Sequence, residues 1–336
     1  MVSCKKSCSE EIQRIMGRFI NLYNRLRGRT YRGKYAVIFM YHGVTDTQDI
    51  RTNYFGKHVH VELFKEQLEC ISRYFKIVPL DDLIVKLRDD TLTENSAVIT
   101  FDDGYRNNYT VAYPVLKALQ APATIFLTTG FIDSERWFWT DKMEYIIMNT
   151  QIPVLALKST GTSFDLSNLS LKRKAIDDIK KILKQCNELT LSKITEEIYS
   201  GCHVEDKKPF ENYECLKWHE IIEMSKDNIS FGAHTDNHII LSRYLFEIAK
   251  RDIGQSQRII QDKIMKPVKT FCYPNGIYGD YTEKIKKWIA DNFDCALSAN
   301  YGRVVPGLHD LYELQRIGVG NDTSCNSLAR KIGNWG

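Results

Sequence analysis

The chain has 336 residues, long enough for one large α/β domain or two small ones with a core that needs no metal or disulfide staple. Apolar residues make up 43% and charged residues 26%, ordinary globular usage that excludes disordered, collagen-like and coiled-coil classes. The net charge of +4 is uneven: residues 1–34 hold nine Lys or Arg against Glu10 and Glu11, which is +7, so the remainder is −3 and no nucleic-acid partner is expected.

In chain order, Glu10 to Leu26 spaces Ile12, Ile15, Met16, Phe19, Ile20, Tyr23 and Leu26 as on a helix, with Arg14, Arg18 and Arg25 between. This basic amphipathic N-terminal helix (segment 1–34) either packs on the main body or contacts an anionic membrane peripherally through residues 10–32. Ala36 to Met40 is a buried-type strand ending in Tyr41-His42-Gly43. A helix from Val61 to Phe75 follows, then a strand near Ile77 and a helix from Asp81 to Leu87 with Asp81 as N-cap. Ala97 to Phe101 is a second buried strand, ending in Asp102-Asp103-Gly104. Helices are expected at 112–119, 220–225, 245–264 and 282–292, alternating with strands at 124–127, 229–233, 268–273, 295–298 and 311–317 before a last helix. Such alternation indicates a mostly parallel sheet, and seven or eight units suggest a closed barrel, with polar motifs at the strand C-termini. Between about 149 and 213 the rhythm gives way to charged helical stretches, read as a helical insertion within one domain spanning 35–336.

Nine cysteines, odd in number and without a Cys-x-x-Cys pair, point to reduced thiols in a cytosolic setting. The first forty residues lack an apolar run with a small-residue cleavage site, and no stretch of about eighteen apolar residues occurs. The expected location is cytoplasmic, with peripheral attachment at the inner membrane face if the N-terminal helix binds lipid.

Asp102 and Asp103, adjacent at a strand end, can be aimed differently by the turn that follows, one toward a metal and one toward a proton. Asp and Gly are also ordinary turn residues. His234 and His238 follow another strand, and their four-residue spacing brings two imidazoles to one ion if the segment turns helical. Two His and one carboxylate leave coordination positions open for water and substrate, as a hydrolytic metal site needs.

Thr100-Phe-Asp-Asp-Gly-Tyr105 and His234-Thr-Asp-Asn-His238, in order and about 130 residues apart, resemble the first two motifs of the NodB-type polysaccharide deacetylases, the fourth carbohydrate esterase family. The resemblance runs from Ala36 to Val319, leaving 149–213 unmatched. It implies a distorted (β/α) barrel of seven or eight units, with Asp103, His234 and His238 as metal ligands and Asp102 as general base. Phe271-Cys-Tyr-Pro-Asn-Gly276 resembles the third motif, which implies an oxyanion contact from the backbone of Asn275 and a groove floor at Tyr273 and Pro274. The family often has an Arg where Cys272 stands, and Arg316 is the candidate substitute for orienting the base. Phe39-Met-Tyr-His-Gly-Val44 is similar to the branch acting on exopolysaccharide poly-N-acetylglucosamine, which makes His42 the general acid, with His309 next in line. Tyr105, Trp139 and Asp141 complete the implied substrate groove; Trp137, Phe138 and Trp218 are weighed between core packing and sugar stacking.

The implied activity is hydrolytic removal of the N-acetyl group from an N-acetylated amino sugar in a polysaccharide, oligosaccharide or lipid-linked precursor. One divalent ion is implied, Zn²⁺ first, with Fe, Co or Ni suited by the same ligand types. The rivals are O-acetyl or formyl removal on the same fold, and a non-catalytic carbohydrate-binding protein.

Overall fold

The computed structural model describes residues 33–332, so the helix expected at 10–26 and the membrane contact through 10–32 lie outside the described residues. The chain divides into two compact units. The first takes in 33–48, 55–133 and 215–332; the second takes in 49–54 and 134–214.

Seven strands of the first unit close into a parallel barrel: Ala36–Tyr41, Ser96–Phe101, Ala123–Leu127, Ile229–Ala233, Thr270–Cys272, Cys295–Tyr301 and Leu314–Gly318. Each pairs with the next in chain order, and the last pairs back on the first through Phe39 with Ile317 and Met40 with Gly318. The strand Lys76–Ile77 pairs with the start of Ser96–Phe101 outside this ring. Parallel strands covered on both faces read as continuous apolar runs, which is why Ala-Val-Ile-Phe-Met and Ala-Val-Ile-Thr-Phe stand out in the sequence.

Alternation then sorts these residues into two cores. Val37, Phe39, Tyr41, Ala97, Ile99 and Phe101 pack outward with residues of the surrounding helices such as Phe64, Leu68 and Ile253. Ala36, Ile38, Val98, Phe126, Cys272, Leu297 and Leu314 form the inner core. The amphipathic helix Leu80–Arg88 joins that inner core through Leu80, Leu83, Ile84 and Leu87. Thr100 and Asp102 continue the inward series of Val98, and Arg316 that of Leu314, so they share the barrel interior at its C-terminal end. The N-cap expected at Asp81 is corrected: Pro79, extended at φ −57° and ψ 148°, precedes the helix, and Asp81 sits in the first turn.

The second unit holds the helices Trp139–Asn149, Leu169–Leu183 and Glu188–Gly201 around buried Ile146, Ile147, Ile176, Ile179, Leu183, Ile194 and Ile198. Asn168 and Asn187 cap the last two helices, accepting from the N–H groups of Leu171 and Thr190 at 3.0 Å each. Where only helices were expected there is also an antiparallel hairpin, Val154–Leu157 with Thr162–Asp165. Its strands are four residues each, too short for alternation to stand out against flanking helical patterns.

Cys70 and Cys325 form a disulfide between the helices Val61–Ser72 and Cys325–Ile332, correcting the expectation of reduced thiols and removing that support for a cytosolic setting. The pair is 255 residues apart in sequence, so only tertiary adjacency reveals it. Among the described residues Cys202, Cys272 and Cys295 are free thiols. No helix among the described residues is long and apolar enough to cross a membrane.

Candidate active site

Backbone hydrogen bonds carry the barrel pairing one residue past the strand ends and fix the site there. Asp102 N–H donates to Tyr41 C=O (3.0 Å), His234 N–H to Leu127 C=O (3.0 Å) and Tyr273 N–H to Leu297 C=O (3.1 Å). After Asp102 the chain reverses in a three-residue turn closed by Gly104 N–H to Asp102 C=O at 2.9 Å, with Asp103 at the apex at φ +75°. Pro274 to Gly276 repeats the device, with Gly276 N–H to Pro274 C=O at 2.6 Å and Asn275 at φ +58°. Positive φ is costly outside glycine and clusters at functional sites. Gly276 cannot carry a side chain at all, since a Cβ would lie 2.7 Å from Tyr273 O and 2.9 Å from Ala299 N.

The segment holding His234 and His238 is a bent loop, correcting the helical turn that their spacing suggested. Thr235 at φ +66° and His238 at φ +54° fold it back, and the rings meet edge-on with centroids 5.1 Å apart. Side chains with no motif signature hold this shape. Asp252 accepts from Asp236 N–H (2.8 Å) and Asn237 N–H (3.1 Å), while Thr129 and Gln255 donate to the Asp236 carboxylate at 2.6 and 2.9 Å. Asp252 and Gln255 lie on the helix Phe246–Ile264, where polar residues at such spacing read as a solvated face.

His238 Nε2 lies 3.1 Å and His234 Nε2 3.5 Å from Asp103 Oδ1. That oxygen is buried, and among the described residues no hydrogen bond reaches it. His234 Nδ1 faces the Cys272 carbonyl at 2.8 Å, so Nδ1 carries the proton and Nε2 presents its lone pair toward Asp103. Burial alone would push the Asp103 carboxyl upward, but the charge of His238 outweighs it and holds the group well below the ordinary carboxylate range. One carboxylate and two imidazoles, with ligand atoms within 4.8 Å of one another, are a donor set that fits a divalent ion.

Asp102, His234 and Cys272 make a second such group, but it fits a cation poorly. Arg316 Nη1 and Nη2 already donate to the two oxygens of Asp102 at 2.8 and 2.7 Å, and Nη2 stands 3.0 Å from Cys272 Sγ. Arg316 Nε donates to Ser298 C=O (2.8 Å) and Nη1 to Thr100 Oγ1 (3.3 Å), so this guanidinium, 1% exposed, uses every nitrogen. Burial alone would raise Asp102; the Arg316 charge and hydrogen bonds prevail and hold it below its ordinary value. The small Cys272 side chain leaves the space the guanidinium fills.

His42 follows the first barrel strand, partly buried, and no hydrogen bond among the described residues ties its ring. Burial keeps its imidazole below the ordinary histidine value, against the raising influence of Asp103 and Asp102. Asn275 turns its side chain onto Asp280, while its backbone N–H donates to no other group among the described residues. His309 is not brought to the site. It lies between the last two barrel strands, hydrogen-bonded to Val305 C=O at 3.1 Å, and neighbouring Val304 pairs with Ala36 at the start of the first strand, the opposite end of the barrel.

Tyr105 and Tyr273 are fully buried behind the site. Tyr105 OH accepts from Lys57 Nζ at 3.0 Å; Tyr273 OH donates to Tyr312 C=O at 2.9 Å, its ring stacked on Tyr281 with centroids 3.9 Å apart. Pro274 is buried in the turn before Asn275. Trp139 and Asp141 belong to the second unit, at the start of the helix Trp139–Asn149, where Asp141 is buried. In that unit Trp137 packs with Tyr145, Phe210 and Tyr213 and donates to Lys207 C=O at 2.6 Å, while Trp218 packs on the core of the first, so both take the packing role.

Comparisons with known proteins bear on the fold and the family. The YxkH protein of Bacillus subtilis (strain 168), which carries a polysaccharide deacetylase name, is 32% identical over 107 residues, 32% of this chain and 37% of that protein. The match thus spans little more than a third of that relative. Among solved structures, Streptococcus pyogenes deacetylase PplD in complex with acetate superposes with a TM-score of 0.60 at 18% identity, covering 89% of this chain and 99% of its own. IcaB from Ammonifex degensii gives 0.58 at 16%, covering 90% and 98%, and the de-N-acetylase from Aggregatibacter actinomycetemcomitans gives 0.58 at 16%, covering 89% and 100%. At these identities the structures share the fold. The family model of the polysaccharide deacetylases matches residues 89–290, more than half of the sequence, and the chain belongs to that family of hydrolases.

Proposed function

We propose that the protein removes the N-acetyl group from an N-acetylated amino sugar by metal-dependent hydrolysis. The observation that carries this reading is the buried Asp103 Oδ1, reached by no hydrogen bond among the described residues and faced by the Nε2 atoms of His234 and His238, beside a second carboxylate clamped by Arg316. Asp103, His234 and His238 would hold a divalent ion, Zn²⁺ in the first instance, although Fe, Co or Ni suit the same donors. When bound, such an ion supplies Lewis acidity toward an amide carbonyl and toward water.

The chain's own residues do the rest. Asp102, held deprotonated by Arg316, takes the proton of the attacking water. The Asn275 N–H donates to the oxygen of the former carbonyl as it gains charge. His42 donates a proton to the departing amine nitrogen, leaving acetate and a free amino sugar. The Tyr41-His42 pair supports a place near the branch acting on exopolysaccharide poly-N-acetylglucosamine.

The test is acetate release, with and without chelator, across N-acetylglucosamine oligomers, nucleotide sugars and lipid-linked sugars, with formate and O-acetyl ester cleavage followed in parallel. Metal-loaded protein that releases acetate from none of them would refute the reading. Residues 10–32 are proposed to touch an anionic membrane; deleting residues 1–30 without loss of liposome sedimentation would refute that part.

A further inference from the structure

Beyond the first barrel strand, Gly43–Thr45 and His58–His60 form a short parallel pair in which Gly43 stands opposite His58. A Cβ on Gly43 would lie 2.2 Å from His58 Nδ1 and 2.3 Å from Asn107 Oδ1, so glycine is needed for this close approach. The same register sets the preceding residues, His42 and Lys57, side by side. Gly56 C=O accepts from Asn321 N–H at 3.3 Å in the loop that leaves the last barrel strand, which keeps Lys57 at the C-terminal end of the barrel with the site. Lys57 Nζ lies 3.0 Å from the hydroxyl of Tyr105, two residues beyond Asp103, and the Tyr105 ring meets His58 edge-on at 4.8 Å. Half-buried Lys57 therefore stands against the motif that carries both catalytic carboxylates, and its charge acts on the imidazole of His42.

If His42 hands its proton to the acetamide nitrogen, that nitrogen binds within its reach, so the ring carbons flanking the one that bears the acetamide come next to Lys57, the neighbour of His42 in the register. We infer that Lys57 makes the site selective for N-acetylated sugars carrying an anionic group, carboxylate or phosphate, on a carbon next to the acetamide. This rests on the deacetylase reading above. An anion there forms a charge-assisted hydrogen bond that a neutral hydroxyl does not match. Arg316, saturated by Asp102 and its other partners, does not compete for it.

The probes are N-acetylglucosamine, N-acetylglucosamine 1-phosphate and N-acetylmuramic acid, whose lactyl carboxylate is on C3. Acetate release is measured for the wild type, K57Q and K57R, and binding of each sugar to the metal-free proteins by calorimetry. At least one anionic sugar is expected to exceed the neutral one by roughly ten- to a hundred-fold in kcat/KM and in affinity, the size of one charge-assisted contact. K57Q should abolish that ratio and K57R keep most of it; preference for the phosphate alone places the anion at C1, for the carboxylate alone at C3. Equal handling of neutral and anionic sugars by the wild type, or a preference that survives in K57Q, overturns the inference while leaving the deacetylase reading intact. If no sugar releases acetate, the deacetylase reading falls, and calorimetry on the metal-free protein still decides Lys57: equal affinities overturn it.

Discussion

Replacing Arg316 by Met tests the centre of the site more sharply than any other single change. Methionine matches much of the side-chain length but removes the charge and all five polar contacts, to Ser298, Thr100, Cys272 and both oxygens of Asp102. Breaking a buried ion pair from one side leaves an uncompensated charge and costs about 3–5 kcal/mol. Asp102 escapes part of that cost by taking up a proton, because burial, the largest influence on it, is then no longer outweighed. The sign of the pH dependence reverses accordingly. In the wild type the depressed Asp102 contributes stability that is present above its unfolded value and is lost as pH falls through the folded one. In R316M the raised carboxyl makes stability fall as pH rises through the ordinary carboxylate range and beyond. Urea unfolding of wild type, R316M, D102N and the double variant separates the contributions: the double variant, with neither charge of the pair left, should recover most of the lost stability. Acetate release should be lost in all three variants, with partial recovery at high pH in R316M alone as Asp102 deprotonates. An R316M protein with wild-type stability and wild-type turnover near neutral pH would refute the assignment of Asp102 as a base poised by Arg316.

Three further outcomes are expected. Asp103→Asn and His238→Ala should each lower affinity for Zn²⁺ or Co²⁺ by at least about tenfold, read by calorimetry or by the visible spectrum of the Co²⁺ form, whereas Cys272→Ala should hold its metal; retention by both ligand variants would sink the trio. His42→Ala should lower kcat by roughly 10²–10⁴ while His309→Ala stays within about twofold, since His309 is at the other end of the barrel; the reverse ranking would show the acid to be misplaced. Cys70→Ser should destabilise by up to about 5 kcal/mol on the chain-entropy account, because the bridge closes a loop spanning 255 residues, and should leave kcat/KM unchanged; a denaturation midpoint equal to that of the wild type would show that the bridge does not constrain the unfolded chain.

The barrel was legible because strands buried on both faces must be apolar throughout, and Ala36 to Met40 and Ala97 to Phe101 meet that condition without interruption. The polar residues that break those runs at their C-termini were legible for the same reason. His42, Asp102 and Asn275 each follow an apolar stretch that has no other use for them. The Cys70–Cys325 bridge and the support of Asp236 by Asp252 and Gln255 were not legible, since both join side chains whose own helices explain them adequately as core or solvent-facing residues. The hairpin at 154–165 was hidden by its brevity.

Spacing misled most where function bends the backbone. The four-residue separation of His234 and His238 invites a helical turn with both rings on one face, yet the segment is a loop that folds them back over a carboxylate delivered by a strand two positions away in the barrel. Positive φ at Asp103, Thr235, His238 and Asn275 produces that convergence, and none of the four is glycine. Their side chains or backbone donors are therefore held in place at a cost that the surrounding hydrogen bonds must offset. Cys272 shows the converse. The resemblance implies arginine at this position of the third motif, but here the guanidinium that holds Asp102 comes from an inward position on the last barrel strand, one strand removed. In a closed barrel the last strand adjoins the first, so Arg316 reaches Asp102 across the interior with both oxygens in register. A clamp of this kind is set by geometry and not by sequence position, and it is found only by asking which inward cation faces an inward carboxylate.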